Sequence, residues 1–117
     1  MRDFTKYDVW NDSIELAKQV YHITQSFPSE EKFGLISQIR RSSISISSNI
    51  AEGCSRSSEK DFRRFIEISL GSAFELRSQL IVSDKLGFCK ENLEEIIFPI
   101  LEKISKQLNA LRTKLGT

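Results

Sequence analysis

Residues 35–54 read LISQIRRSSISISSNIAEGC, and this stretch decides whether the chain is all-α or mixed. Its middle part, from Ser42 to Ser48, alternates serine and isoleucine with a period of two, which is typical of a half-buried strand. The apolar residues of the whole stretch instead keep helical spacing, at Leu35, Ile39, Ile46 and Ile50. Because the helical pattern is the longer one, we predict a helix over residues 30–54, with a strand as the alternative.

Helical periodicity continues on both sides of this stretch. It predicts a first helix over residues 8–27 and a third over residues 59–86, with Ser58 as the N-cap of the third. A fourth helix is predicted over residues 90–115, where isoleucines and leucines form one stripe. Pro99 lies inside that stripe and should kink the helix or delay its regular start.

The length and composition suit a single small domain, which we assign to residues 1–117. Four amphipathic helices with short connections predict an antiparallel up-down-up-down four-helix bundle. The 17 Lys and Arg against 16 Asp and Glu give a net charge of +1, which argues against the whole molecule as an electrostatic nucleic-acid binder and leaves a local basic patch as the alternative. Two cysteines without a secretory segment predict free thiols in the cytoplasm, and no apolar run is long enough to span a membrane.

Several apolar residues fall outside the predicted core stripes. They lie on the second and third helices, at Phe33, Ile44, Ala51, Leu70, Phe74 and Ile81. Soluble monomers rarely expose contiguous apolar surface, and the first helix is also apolar over about half its circumference. We therefore predict that the chain associates with itself, with isolated surface hydrophobes as the alternative.

A band of polar residues runs beside the apolar face of the second helix, and a similar stripe lies on the third. The members that we take as a candidate polar network are Arg41, Asn49, Glu52, Arg56, Ser72 and Glu75. In this hypothesis Arg41 or Arg56 pairs with Glu75 or Asp61 and fixes the helix register or the oligomer geometry. The alternative is a solvated helix flank.

Basic residues are concentrated around the turn between the second and third helices. Residues 40–64 hold six arginines and lysines against three acids, which leaves an excess of three positive charges. The candidate phosphate contacts in this region are Arg40, Arg56, Lys60, Arg63 and Arg64. Guanidinium groups bind phosphates through paired hydrogen bonds, so a symmetric oligomer would repeat this patch around its axis. The alternative is pairing with the interspersed acids.

Residues for catalysis or cofactor binding are not evident. The single histidine, His22, lies on the polar side of the first helix, and Cys54 and Cys89 lie next to helix ends as packing residues. The chain has no zinc-ligand spacing, no Glu-x-x-His pair for a di-iron site and no glycine-rich phosphate loop. We therefore predict no enzymatic activity, no catalytic residue, no cofactor or metal and no small-molecule substrate.

The string Asn49-Ile50-Ala51-Glu52-Gly53 carries a family resemblance, together with Ser37 to Arg41 before it and Gly71 to Leu76 after it. With these motifs the chain resembles the four-helix-bundle 23S rRNA-intervening-sequence proteins over nearly its whole length. The resemblance implies a bundle that assembles as a ring-shaped homopentamer, and its matching positions carry the family's polar set onto the candidate network given above. The chain departs from the family pattern at two positions. Ser47 stands where relatives often have proline, and Pro99 interrupts a fourth helix that is usually continuous in the family.

A related accessory protein of diversity-generating retroelements uses a basic pentameric barrel to engage nucleic acid and reverse transcriptase. The resemblance therefore implies a non-enzymatic oligomer with an RNA- or DNA-associated accessory role, acting through the basic residues near the turn between the second and third helices. The alternative is a protein interaction scaffold that binds no nucleic acid. The near-neutral charge differs from the strongly basic accessory protein, and fold is transferred between relatives more safely than function.

Overall fold

Five α-helices build the computed structural model, which describes residues 2–116 and contains no strand over that range. The helices are α1 (Asp8–Thr24), α2 (Leu35–Cys54), α3 (Glu59–Lys85), α4 (Leu93–Ile96) and α5 (Phe98–Lys114). Short 3-10 turns at Phe4–Lys6 and Ser29–Glu31 precede α1 and α2. The predicted all-α class is confirmed, and the four long helices fit a bundle.

The alternating serine and isoleucine tract lies inside α2, so the helix prediction is confirmed and the strand alternative is wrong. Two of the three buried serines in this tract, Ser43 and Ser47, bond back to carbonyls of their own helix. Ser43 Oγ donates to the Arg40 carbonyl at 2.8 Å, and Ser47 Oγ donates to the Ile44 carbonyl at 3.0 Å. Because each hydroxyl finds a partner on its own helix, serine is tolerated on the buried side of α2.

The start of α2 differs from the prediction. The helix begins at Leu35 rather than at residue 30. Ser29–Glu31 form the 3-10 turn that follows Pro28, and residues 32–34 form a turn before α2. Glu31 Oε1 accepts a hydrogen bond from the Leu35 amide at 3.3 Å, which satisfies one of the free donors at the start of the helix. The first helix likewise ends at Thr24, and Phe27 continues into the core as part of the connection.

The third and last helices follow the boundary signals in the sequence. Ser58 caps α3 by accepting a hydrogen bond from the Asp61 amide at 3.1 Å, as predicted. The stripe predicted as one helix over residues 90–115 is divided at Ile97, and Pro99 lies in the first turn of α5. A proline there removes no helical hydrogen bond, which explains the delayed regular start.

One hydrophobic core lies between the four long helices, because α1 packs on α2 and α5, and α3 packs on the same two helices from the other side. Its fully buried large side chains include Leu16, Ile23, Ile39, Ile46, Ile50, Phe62, Ile66, Leu76, Leu80, Leu101 and Ile104. The predicted apolar stripes supply this core. Within residues 2–116 no helix has the length and apolar character needed to cross a membrane.

Candidate functional site

The turn between α2 and α3 gathers four of the five candidate phosphate contacts. Lys60, Arg63 and Arg64 line a shallow cavity of about 810 Å³, together with the acidic residues Glu59, Asp61 and Glu67 and the C-terminal residues Leu115 and Gly116. Lys60 and Arg64 are exposed, and neither forms an ion pair with any residue of the described chain. They are therefore free to bind an external anion. We call the region formed by Arg2, Arg56, Lys60, Arg63 and Arg64 the basic corner.

The other two arginines predicted at this turn are held by the chain itself. Arg56 Nη2 lies 3.1 Å from Glu52 Oε1, and its guanidinium group lies 4.7 Å from the centroid of the Phe65 ring. Arg63 Nη1 donates to the Gly116 carbonyl, and Arg63 Nε lies 4.0 Å from Glu67 Oε2. These contacts fix both guanidinium groups and partly neutralise their charge.

Arg40 lies away from the basic corner. It is on the N-terminal half of α2, fourteen positions before Cys54, a distance of roughly 21 Å along the helix. Its Nε donates to Thr24 Oγ1 at 2.9 Å, and its guanidinium group lies 4.5 Å from the centroid of the Tyr21 ring on α1. The structure thus joins Arg40 to α1 and does not group it with the other candidate phosphate contacts.

Arg2 belongs to the basic corner, although the sequence analysis did not include it. Its Nη1 donates to the Arg56 carbonyl at 2.8 Å, and its guanidinium group lies 4.4 Å from the centroid of the Phe62 ring. Arg2 lies before the first helix, so no helical pattern could place it there. Five cations now face four nearby carboxylates, those of Glu52, Glu59, Asp61 and Glu67, and the local excess is one positive charge rather than three.

The polar band connects α2 to α3, but not through the predicted ion pairs. Ser42 Oγ donates to Glu75 Oε1 at 3.1 Å, and the hydroxyls of Ser45 and Ser72 share a hydrogen bond of 2.8 Å. Asn49 Nδ2 donates to Ser45 Oγ at 3.0 Å. Small hydroxyls therefore join the two helices, whereas the charged members of the band stay at the surface.

The predicted pairing of Arg41 or Arg56 with Glu75 or Asp61 is absent among residues 2–116. Arg56 pairs with Glu52 on its own helix, Glu75 accepts from Ser42, and the exposed Arg41 has no hydrogen bond or ion pair within that range. Glu52 and Arg56 are four positions apart, about one turn of helix, so this pair forms without help from another element. The charged members of the band are thus exposed in the single chain.

Glu52→Ala should change stability only slightly, because the Glu52 side chain is 53% exposed and its ion pair with Arg56 is local. We expect a loss of about 0.3–0.5 kcal/mol in the free energy of unfolding, which added salt should reduce. Urea unfolding at two salt concentrations measures it. Glu102→Ala is a matched control, because it breaks the exposed pair of Glu102 with Lys106 at 3.2 Å. A loss of about 3 kcal/mol for Glu52→Ala alone would instead indicate a buried network.

Both cysteines are free thiols with raised pKa values. Burial raises the pKa of the Cys54 thiol, and burial together with the charges of Asp84 and Glu91 raises the pKa of Cys89 to about 11. Both thiols are therefore protonated at neutral pH.

His22 is exposed, with Nε2 3.8 Å from Glu91 Oε2. In the part of the chain that the structure describes, no three His, Cys, Asp or Glu side chains are placed to hold a metal ion.

The predicted leftover apolar surface is present in part. Phe33 is 90% exposed and Phe74 is 66% exposed, and Ile44 and Ile81 are exposed as well. Ala51 and Leu70 are half-buried, and Leu70 packs against the core. The structure adds three exposed apolar residues on or next to α3 that the sequence analysis missed: Ile68, Val82 and Leu86.

The fold and these surfaces define an all-α helical-bundle protein with a charged corner and an apolar surface. The family model of the 23S rRNA-intervening sequence protein matches residues 5–110, and the chain belongs to this family. The resemblance inferred from the sequence motifs is thereby confirmed.

Among solved structures, the chain is similar to a protein with unknown function from the S23 ribosomal protein family of Bacteroides thetaiotaomicron. The two chains share 27% sequence identity with a TM-score of 0.81, over 90% of this chain and 95% of that chain. No curated protein matches this chain.

Proposed function

We propose that this protein is a non-enzymatic, oligomeric accessory protein that binds RNA phosphates through Lys60 and Arg64 in its basic corner. One observation carries the proposal: the two cations lie one turn apart near the start of α3, exposed and without an acidic partner in the described chain. A guanidinium group binds a phosphate through two parallel hydrogen bonds, and the N-terminal end of a helix favours anions.

Self-association strengthens this arrangement. A single chain has an excess of only one positive charge at the basic corner, and binding to a polyanion depends on how many phosphates are contacted together. In the ring-shaped homopentamer that the family resemblance implies, each copy adds its own Lys60 and Arg64. The four-residue connection between α2 and α3 favours an antiparallel pair, as the up-down-up-down order requires, and the two free thiols suit the reducing cytoplasm.

Catalysis is not part of the proposal. The single histidine is exposed beside a carboxylate, and both thiols are protonated at neutral pH. None of these three side chains therefore provides an activated nucleophile. The function we propose depends on surface charge and assembly.

The test uses a labelled, structured 23S rRNA fragment, chosen because of the name of the family. We expect the double substitution Lys60→Glu with Arg64→Glu to weaken binding at low salt by about tenfold or more and to flatten its salt dependence. Fluorescence anisotropy between about 50 and about 200 mM salt measures both effects. The control, Lys85→Glu with Lys90→Glu, makes the same charge change near the far end of α3.

Two results would contradict the nucleic-acid proposal. One is a wild-type protein that does not bind the fragment at micromolar concentration and low salt. The other is an equal loss of affinity in the corner variant and in the control, because the effect would then follow net charge rather than the corner.

The second candidate function is a protein interaction scaffold without nucleic-acid binding. It is favoured by the exposed Phe33 and Phe74 and by the small charge excess of the basic corner. Light scattering on a size-exclusion column measures assembly, and we expect a mass that is a multiple of 13.5 kDa. An oligomer that does not bind the RNA fragment would favour the scaffold, whereas a 13.5 kDa particle would contradict self-association.

A further inference from the structure

A groove runs between α3 and α5, on the side of α3 that faces away from α2. It consists of two adjoining cavities of about 400 and 380 Å³, which share Phe74, Glu102 and Ser105 in their walls. Leu70 lines the first cavity, and Ala73 and Leu101 line the second. The groove is therefore continuous, apolar along its floor and open to solvent, with the ring of Phe74 standing 66% exposed at its edge.

Cations exceed acids along the rim of this groove. The ammonium group of Lys106 pairs with Glu102 at 3.2 Å, so these two charges compensate each other. Arg77 has no acidic partner among residues 2–116, and its guanidinium group lies 5.0 Å from the centroid of the Phe98 ring. Arg112 contacts only the neutral amide of Asn109 by hydrogen bonding in the described chain. The rim thus has two uncompensated guanidinium groups beside an apolar floor.

We propose that this groove binds an acidic amphipathic helix of another protein. A helix lying along a groove between two helices inserts its apolar side chains at i, i+3, i+4 and i+7. Carboxylates on its flanks would reach Arg77 and Arg112, which are suited to bidentate contacts. The occupant is therefore defined by an apolar stripe and flanking negative charge.

A second copy of this chain matches the groove less well in a two-fold dimer, because the same surface then meets itself and the arginines of one rim approach those of the other. In the ring proposed above the contact is heterologous, so a different surface of the neighbouring copy would face the groove, and the mass of the Phe74→Ala variant distinguishes that case. Opposite charge favours association and like charge opposes it. The groove also contains neither Lys60 nor Arg64, so its occupant is independent of the RNA proposed above.

The test uses two fluorescein-labelled synthetic helical peptides with the same leucine stripe, one with flanking glutamates and one with flanking lysines. We expect the acidic peptide to bind the full chain at least about tenfold more tightly in fluorescence anisotropy. Phe74→Ala should lower the affinity for the acidic peptide by about tenfold or more, since an exposed aromatic residue in a groove is a typical binding hot spot. Arg77→Glu with Arg112→Glu should reverse the preference between the two peptides.

Phe33→Ala is the matched control, because it removes the same ring from a site that is 90% exposed and outside the groove. Equal affinity for the two peptides, or a Phe74→Ala variant that binds like the wild type, would overturn the proposal. So would a Phe74→Ala variant with a reduced mass in light scattering, because a second copy would then occupy the groove. The proposal would likewise be overturned if the RNA fragment displaced the acidic peptide and Phe74→Ala weakened binding of the RNA fragment itself, because the groove would then bind nucleic acid.

Discussion

Phe62→Ala should lower the free energy of unfolding by about 3–5 kcal/mol, the largest effect that we expect from a single substitution in this chain. The Phe62 side chain is 1% exposed. Its ring packs edge to face against the Tyr7 ring, with centroids 6.1 Å apart. The Arg2 guanidinium group lies over the Phe62 ring, 4.4 Å from its centroid. Truncation leaves a cavity between α2 and α3 and removes the surface on which Arg2 lies.

Urea unfolding at a fixed chain concentration measures this loss, since assembly would make the apparent stability depend on concentration. Phe33→Ala is the control, and because Phe33 is 90% exposed we expect it to change stability by less than about 0.5 kcal/mol. A Phe62→Ala variant that loses less than about 1 kcal/mol would show that Phe62 does not fill the core in the way the structure describes.

Replacing glycine with alanine should have opposite effects at two positions: it should lower the free energy of unfolding at Gly53 and raise it at Gly71. A Cβ atom on Gly53 would lie 2.9 Å from Phe62 Cδ1 and 2.9 Å from Phe65 Cβ. These distances are shorter than a van der Waals contact, so α2 and α3 could not keep their present separation. We expect Gly53→Ala to lower the free energy of unfolding by about 1–3 kcal/mol through overpacking, despite the better helix propensity of alanine.

Gly71→Ala is the matched control on α3. A Cβ atom there would meet no other atom within 4 Å, so only the helix propensity changes. We expect a gain of about 0.5–1 kcal/mol in the free energy of unfolding. Thermal and urea unfolding of the two variants measure the difference. Stabilisation by Gly53→Ala to the same extent as by Gly71→Ala would contradict the close approach of α2 and α3.

Much of the fold could be predicted from the sequence, because the features concerned are local. The helical spacing of Leu35, Ile39, Ile46 and Ile50 outweighed the serine and isoleucine alternation, and Ser58 marked the start of α3. Pro99 marked the delayed start of α5 in the same way. Helix periodicity, capping and the missing proline amide depend on residues within a few positions of one another. The family motif Asn49 to Gly53 is also contiguous, and the match over residues 5–110 confirmed what it indicated.

The candidate site was predicted less well, because its contacts join elements that are distant in sequence. Only the tertiary structure placed Arg40 against Tyr21 and Thr24 of α1, and Arg2 against the carbonyl of Arg56. It also gave Glu75 a serine partner instead of an arginine. The periodicity of a helix determines the angle at which a side chain leaves its own axis. It does not determine how far neighbouring helices are shifted or rotated against each other, and those two quantities decide which groups come within hydrogen-bonding distance.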